Sequence, residues 1–361
     1  MAYAQITGWG RCLPPARLTN HDIATVMDTS DQWITERTGI KTRRISHVMN
    51  ADMAHVAAAR ALACAGIHAD ELDIIAYATT TPDEVIPNTA SILQCQLGAS
   101  NAACFDLNAA CTGFLYSFNM VSDMLRCGSI KTALVVGSER LSSLMDWSKR
   151  ESAILFGDGA GALVLQASEQ ESGFFQGKLG CVVNTRELLA MPDFGLHAIA
   201  QHRPLQVTLD FYGKEIFKNA VTGMASACAE VLEESALSLE DIDLIIPHQA
   251  NARIVEALIR RLGADMNKVV LTLDKYANTS TSSIPIALCE ALDQGRVKPG
   301  MTILLVAFGA GLTWGATLLK WGDRVTALGS TDVELPATDK TGLDLIMEAI
   351  AVRAGASNRY R

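Results

Sequence analysis

Three polar residues in this chain stand where apolar, strand-like runs give way to helical patterns. Cys111 follows Phe105-Asp106-Leu107-Asn108-Ala109-Ala110, and a helical pattern carrying Phe114, Leu115, Phe118, Val121 and Leu125 begins just after it. A cysteine at a helix start sits at the positive end of the helix dipole, beside free backbone N–H groups. Both effects favour thiolate, so the expectation is a depressed thiol pKa. Such a thiolate is a nucleophile suited to thioester chemistry. The other eight cysteines, Cys95, Cys127 and Cys181 among them, fall in apolar runs without a polar partner motif and read as small buried hydrophobes.

His248 lies in Pro247-His248-Gln249-Ala250-Asn251, directly after the apolar run Ile242 to Ile246. That is the carboxyl end of a strand, where α/β folds place their sites. Asn278 opens the small-residue turn Asn278-Thr279-Ser280-Thr281 into a helix; alone it reads as a turn or cap residue. The stretch Ala307 to Gly315 follows another strand, and its glycines allow backbone N–H groups to point into a site. The similar Phe156 to Gly161 run reads as structural, or as a wall of the same cleft. It is not a GxGxxG after the first strand, so a nucleotide-binding fold is not supported.

The elements that must position these residues occur twice. Asp73 and Asp243, each leading a strand-like run, are 170 residues apart; the same offset relates Ala133-Leu134-Val135-Val136 to Ile303-Leu304-Leu305-Val306, and Asn108 to Asn278. Alternating short apolar strands and helices indicate an α/β class, its sheets covered by helices. In a pseudo-twofold arrangement the helix starts at Cys111 and Asn278 would face one another across a cleft.

Length and composition narrow the function further. A chain of 361 residues can bury a large core. The net charge of −9 argues against nucleic acid as the main partner. No CxxC or Cys/His cluster appears, so no metal is expected, and irregularly spaced cysteines suggest a reducing compartment. The N-terminus lacks the features of a signal peptide, and no run of 18 apolar residues exists, so a cytoplasmic protein without a membrane span is expected.

Together these motifs resemble the β-ketoacyl-acyl-carrier-protein synthase III family, over roughly residues 1–322. The resemblance rests on Thr29-Ser30-Asp31-Gln32-Trp33-Ile34 with Arg37-Thr38-Gly39-Ile40, on Ala109 to Phe114, on Phe156 to Gly161, on Pro247 to Asn251, on Tyr276 to Ser280 and on Phe308 to Gly315. It implies an α/β thiolase-like fold of two duplicated halves in five α-β-α-β-α layers: residues 1–172 with Cys111, residues 173–322 with His248 and Asn278, and an extension over 323–361. It implies a decarboxylative Claisen condensation of an acyl-CoA primer with malonyl-acyl carrier protein, and a homodimer. No cofactor is implied, since both thioesters are substrates.

The same resemblance implies the site. Cys111, His248 and Asn278 would be catalytic, and the backbone N–H groups of Cys111 and Ala310 would hold the oxyanion. Trp33 and Arg150 would sandwich the CoA adenine, with Arg37 near its phosphates and Gly213 and Asn251 along the pantetheine arm. Phe211 and Phe217 would line the acyl channel, and Ile86 would reach into a partner subunit's pocket. Lys218, Arg253, Arg260 and Arg261 would dock the acidic carrier protein. The residues leave two other readings open: a condensing enzyme that makes a secondary metabolite or signal from a longer primer, and a non-catalytic acyl-binding protein. Two stretches depart from the family pattern. Thr185 to Gln206 fits it poorly. Beyond Trp321, Leu343, Leu345, Ile346 and Ile350 predict a short amphipathic helix on the surface or on a dimer partner.

Overall fold

The computed structural model describes residues 3–203 and 206–359. One sheet contains β1 (Tyr3–Cys12), β2 (Ile74–Ala78), β3 (Ala103–Leu107), β4 (Thr132–Glu139) and β5 (Gly159–Ser168), in the order β1-β5-β4-β2-β3. The other contains β6 (Gly173–Cys181), β7 (Leu244–Pro247), β8 (Thr302–Gly309) and β9 (Thr313–Lys320), in the order β7-β8-β9-β6. In both, the strand after the aspartate is parallel to its neighbour, β2 to β4 and β7 to β8, and the next pair is antiparallel. A counterpart of β3 in the second sheet is reduced to a bridge between Ile245 and Val269.

The duplication extends to individual hydrogen bonds. Asp73 accepts from the Thr132 N–H at 3.0 Å while its own N–H donates to the Thr132 carbonyl at 2.9 Å. Asp243 makes the same pair of bonds with Thr302, at 2.8 and 2.9 Å. Each aspartate locks the start of one parallel strand to the start of the next.

The helices bearing on the site are α1 (Asp31–Thr38), α2 (Asn50–Ala65), α3 (Thr89–Leu97), α4 (Gly113–Arg126), α5 (Gly213–Glu234), α6 (Ala252–Leu262), α7 (Ser283–Asp293) and α8 (Gly342–Arg359). Strand alternation sorts them into layers. On β2, Ile74, Ala76 and Ala78 face the central helices α4 and α7, whereas Ile75 and Tyr77 face α2 and α3. On β8, Ile303 and Leu305 face the same central layer, and Leu304 and Val306 face α5 and α6. The central helices are therefore covered on both sides. Phe114, Phe118, Val121, Ile284 and Leu288 are all buried there, each contributing roughly 2 kcal/mol of burial. Pro285 falls in the first turn of α7, where its missing N–H breaks no helical bond.

As expected, Asn278 opens a small-residue turn that leads into a helix: α7 begins at Ser283, after a turn in which Ala277 and Ser280 take positive φ. Its hydroxyls reach across the fold, Ser280 to the Cys111 sulfur, Thr281 to Glu139 and Ser283 to His248. The extension forms the expected helix, but a longer one packed on the chain's own body. Its chain runs along α2, where Leu328 donates to the Cys64 carbonyl and Glu334 pairs with Arg60. It ends in the 18-residue α8, with Leu345 and Ile346 buried against the chain's own Leu18 and Ile23.

The halves approach closely where Gly137 on β4 meets the backbone of Thr281. A Cβ on Gly137 would lie 2.5 Å from the Thr281 carbonyl oxygen, a backbone atom that cannot swing aside. Gly137→Ala is expected to lower stability by about 1–3 kcal/mol, read as a fall in the denaturant midpoint at unchanged slope.

Candidate active site

The three polar residues of the two halves converge. Cys111, His248 and Asn278 line one cleft of about 470 Å³. His248 and Asn278 are 4 % and 6 % exposed, so they form its buried end. Trp33 and Arg37 of α1 stand at its open end, and Phe211, Ile216, Phe217 and Met224 supply an apolar wall.

Cys111 sits on a turn between β3 and α4. Ala110 before it has φ +50°, which holds the cysteine out of both the strand and the helix. The Thr112 and Thr313 hydroxyls lie 2.6 Å apart, tying this turn to the glycine-rich turn after β8. Gly309 comes so close that a Cβ there would lie 2.8 Å from the Cys111 nitrogen. Ala310, one residue on, is half-buried. The Ser280 hydroxyl donates to the Cys111 sulfur at 3.4 Å.

The expected depressed thiol pKa is not found. Burial raises it to about 11; the Ser280 hydrogen bond pulls it down, and the nearby Glu139 carboxylate pushes it up. Cys111 precedes Thr112, the N-cap of α4, so it lies outside the first helical turn, where the dipole acts. The resting group is a neutral thiol. Nor are all the other cysteines buried: Cys95, Cys127 and Cys181 are exposed. Cys127 caps the end of α4 and Cys181 ends β6, so both lie at element ends and not in the apolar layers.

His248 is also neutral, because burial lowers its pKa to about 3. Its Nδ1 lies 2.6 Å from the Ser283 hydroxyl. That hydroxyl also receives the Gln249 N–H at 3.4 Å and is itself buried. Ser283 is left with its proton to give, and Nδ1 is the acceptor in reach. A Ser283 hydroxyl that donates to Nδ1 goes with a ring proton on Nε2, the form the proposed chemistry below uses. Asn278 is oriented in a similar way. Its Oδ1 accepts the Ser280 N–H at 2.8 Å, so its Nδ2 remains as a donor.

Sequence reasoning missed the hydroxyls of Thr112, Ser280, Ser283 and Thr313. The run Asn278 to Ser283, with hydroxyls at every position after the asparagine, was the available signal.

The other expected residues divide. Trp33, Arg37, Gly213, Asn251, Phe211, Phe217 and Arg253 all line the cleft. Asn251 caps α6, accepting from the Arg253 N–H at 2.9 Å, and donates to the Arg37 carbonyl at 3.2 Å. Arg253 donates to the Glu36 carbonyl, binding α6 to α1. Arg150 does not stand apart from Trp33 as one side of an open slot. Its guanidinium lies 4.8 Å from the Trp33 ring centre, and Arg37 lies 4.3 Å from it. Both guanidiniums lie within cation–π range of the same indole ring. Ile86 lies outside the cleft and is 88 % exposed. Lys218, Arg260 and Arg261 are exposed on α5 and α6, outside the cleft lining. Arg260 and Arg261 sit in the last turn of α6, where cations also offset the helix dipole.

Of the segment Thr185 to Gln206, Leu189 lines the cleft. Leu189 and Phe211 pair across a short antiparallel ribbon, and both line it. Residues 204 and 205 of this segment lie outside the described residues. Among the described residues no group of His, Cys, Asp and Glu is arranged to hold a metal ion, and no helix is long and apolar enough to cross a membrane.

Comparison with known proteins places the chain in a family. Residues 105–182 match the family model "3-Oxoacyl-[acyl-carrier-protein (ACP)] synthase III", and residues 232–321 match that of its C-terminal part. The chain is 52 % identical over 349 residues to β-ketoacyl-[acyl-carrier-protein] synthase III 2 of Vibrio cholerae, with 96 % of each chain covered. It is 44 % identical to β-ketoacyl-[acyl-carrier-protein] synthase III of Clostridium acetobutylicum, over 89 % of this chain and 99 % of that protein. The crystal structure of 3-oxoacyl-[acyl-carrier-protein] synthase III from Aquifex aeolicus superposes with a TM-score of 0.84 at 43 % identity, covering 88 % of this chain and all of that one. Thiolase-type layers, duplicated halves and close relatives agree: the chain belongs to the β-ketoacyl-[acyl-carrier-protein] synthase III family of condensing acyltransferases of fatty acid synthesis.

Proposed function

We propose that this enzyme joins an acyl-CoA primer to malonyl-acyl carrier protein, and that Cys111 carries the acyl group between the two half-reactions. The observation that carries this reading is the convergence of Cys111, His248 and Asn278 at the buried end of one cleft. In the first half-reaction the Cys111 sulfur bonds to the thioester carbon, the carbon–sulfur bond to CoA breaks, and the thiol proton leaves with the CoA sulfur. In the second, malonyl loses CO2, and the electron pair released forms a thioester enolate. The enolate carbon bonds to the acyl carbon, the bond to Cys111 breaks, and the sulfur regains a proton. The products are β-ketoacyl carrier and free enzyme.

Decarboxylation generates the carbon nucleophile, so no strong base is required. Two donors are required at the enolate oxygen. His248 Nε2–H and Asn278 Nδ2–H suit that task, each worth about 3 kcal/mol. The backbone N–H groups of Cys111 and Ala310 are proposed to hold the tetrahedral oxygen. Trp33, Arg37 and Arg150 would take the adenine and phosphates of CoA, and Gly213 and Asn251 its pantetheine arm. Phe211 and Phe217 would hold the acyl chain. Lys218, Arg253, Arg260 and Arg261 would meet the acidic carrier protein. An exposed Val85-Ile86 pair suits burial against a second copy of the chain, which would make the enzyme a homodimer.

Adding acetyl- through decanoyl-CoA is expected to give a covalent acyl adduct by intact mass, absent in Cys111→Ala, and then a β-ketoacyl carrier once malonyl carrier is supplied. An unmodified parent protein with every primer would establish an acyl-binding protein instead. Primers that react best mark the space beside Phe211 and Phe217.

The two donors serve the second half-reaction. His248→Ala and Asn278→Ala should lose about a hundredfold or more in condensation while acylation, followed by CoA release, falls much less. Equal loss of both steps would remove this assignment.

A thiol pKa near 11 leaves roughly one sulfur in ten thousand as thiolate at pH 7. Alkylation of Cys111 by iodoacetamide, read by peptide mass, should therefore rise about tenfold per pH unit from pH 7 to 9. A plateau below pH 8 would mean that the helix start outweighs burial.

A further inference from the structure

We infer that the C-terminal extension braces the mouth of the cleft, with Arg353 of α8 as a positioning residue for acyl-CoA. The inference rests on the proposal that CoA enters past Trp33. The matched family model ends at residue 321, and the Clostridium relative covers 89 % of this chain with 99 % of its own length. The extension is thus an addition to the shared catalytic layers, and α8 is placed against them at one particular point.

That point is where the two walls of the mouth begin. One Arg353 nitrogen donates to the carbonyls of Met145 at 3.1 Å and Leu144 at 3.5 Å. The other donates to the Val207 carbonyl and lies 3.8 Å from the Asp146 carboxylate. The planar fork of a guanidinium can serve two separate chain segments at once, which an ammonium cannot do in the same geometry. From Asp146 the chain runs directly into the short helix Arg150–Ala153, joined by the Lys149 N–H to the Asp146 carbonyl. Arg150 lies on Trp33, and Ile154 and Leu155 line the cleft. From Val207 the chain runs to Phe211, whose ribbon with Leu189 is the opposite wall. Beneath Arg353, Leu343 and Ile350 of the extension pack on the same apolar cluster as Leu144, Leu209 and Phe211. One side chain therefore sets the spacing of two walls that touch the ligand, without touching the ligand itself.

The test compares two thioesters on the full-length enzyme: acyl-CoA, and the same acyl group on N-acetylcysteamine, which lacks the nucleotide and does not need the Trp33 end. Arg353→Ala is expected to raise KM for acyl-CoA about fivefold with kcat changed less than twofold, and to leave the rate of Cys111 acylation by the N-acetylcysteamine thioester unchanged. Arg353→Lys, which keeps the charge and loses the fork, is expected to resemble Arg353→Ala. An unchanged KM in Arg353→Ala overturns the inference, as does equal slowing with both thioesters, which would mark a general loss of structure. Full restoration by Arg353→Lys would assign the effect to Asp146 and overturn the two-carbonyl brace. A parent enzyme acylated by neither thioester would instead refute the proposed function.

Discussion

The site depends on one buried carboxylate. Glu139 ends β4 with no exposure, and its oxygens accept from the Thr80 N–H, from the hydroxyls of Thr79, Thr80 and Thr81, and from the Thr281 hydroxyl of the other half. Burial pushes its pKa up, and these donors pull it back. Removing one partner from such a network would strand a polar group in the interior, so the whole set holds or fails together. Thr281 is flanked by Ser280, which touches the Cys111 sulfur, and leads to Ser283, which faces His248. A contact that joins two halves of a duplicated fold thus also fixes the turn that orients the site.

Duplication explains why that turn lies where it does. Gly113 and Ser283, the first residues of the two central helices, are separated by the same 170 positions as Asp73 and Asp243. Cys111 and Thr281 are therefore equivalent positions. In one half the position holds a thiol facing the cleft; in the other it holds a hydroxyl bonded to Glu139. The two helix starts have diverged into a reactive end and a structural end. Gly137 permits this because its missing side chain lets the second half's backbone lie directly on the first half's sheet.

Much of this was legible in the sequence because it was local or repeated. The offset of 170 residues pointed to the two sheets, and the continuous apolar run Ile74 to Ala78 fits a strand covered on both faces. His248 after Ile246, and Cys111 between a strand and a helix, were readable as site positions for the same reason. What was not legible depended on tertiary surroundings. The Cys111 pKa is set by burial between two halves, which a helix-start argument cannot weigh. The roles of Ser280 and Ser283 depend on how the turn after Asn278 bends before α7, which positive φ at Ala277 and Ser280 decides. Arg353 meets carbonyls 146, 208 and 209 residues away, and no local pattern foreshadows such contacts.

A neutral thiol beside a neutral histidine would be poor design for an enzyme that must hold a stable thiolate. It suits a sulfur that begins and ends each half-reaction uncharged. In the proposed first step the thiol proton departs with CoA, so charge is present only as bonds are changing. In the second, the charge arrives on the malonyl carboxylate and is handed to the enolate oxygen, away from the sulfur. A cationic His248 would bind that carboxylate and oppose its loss. The neutral ring, with the proposed proton on Nε2, leaves the carboxylate free to depart and donates where the charge next appears. Burial that disfavours charge on both Cys111 and His248 at rest therefore confines stabilisation to the oxygen that becomes charged during carbon–carbon bond formation.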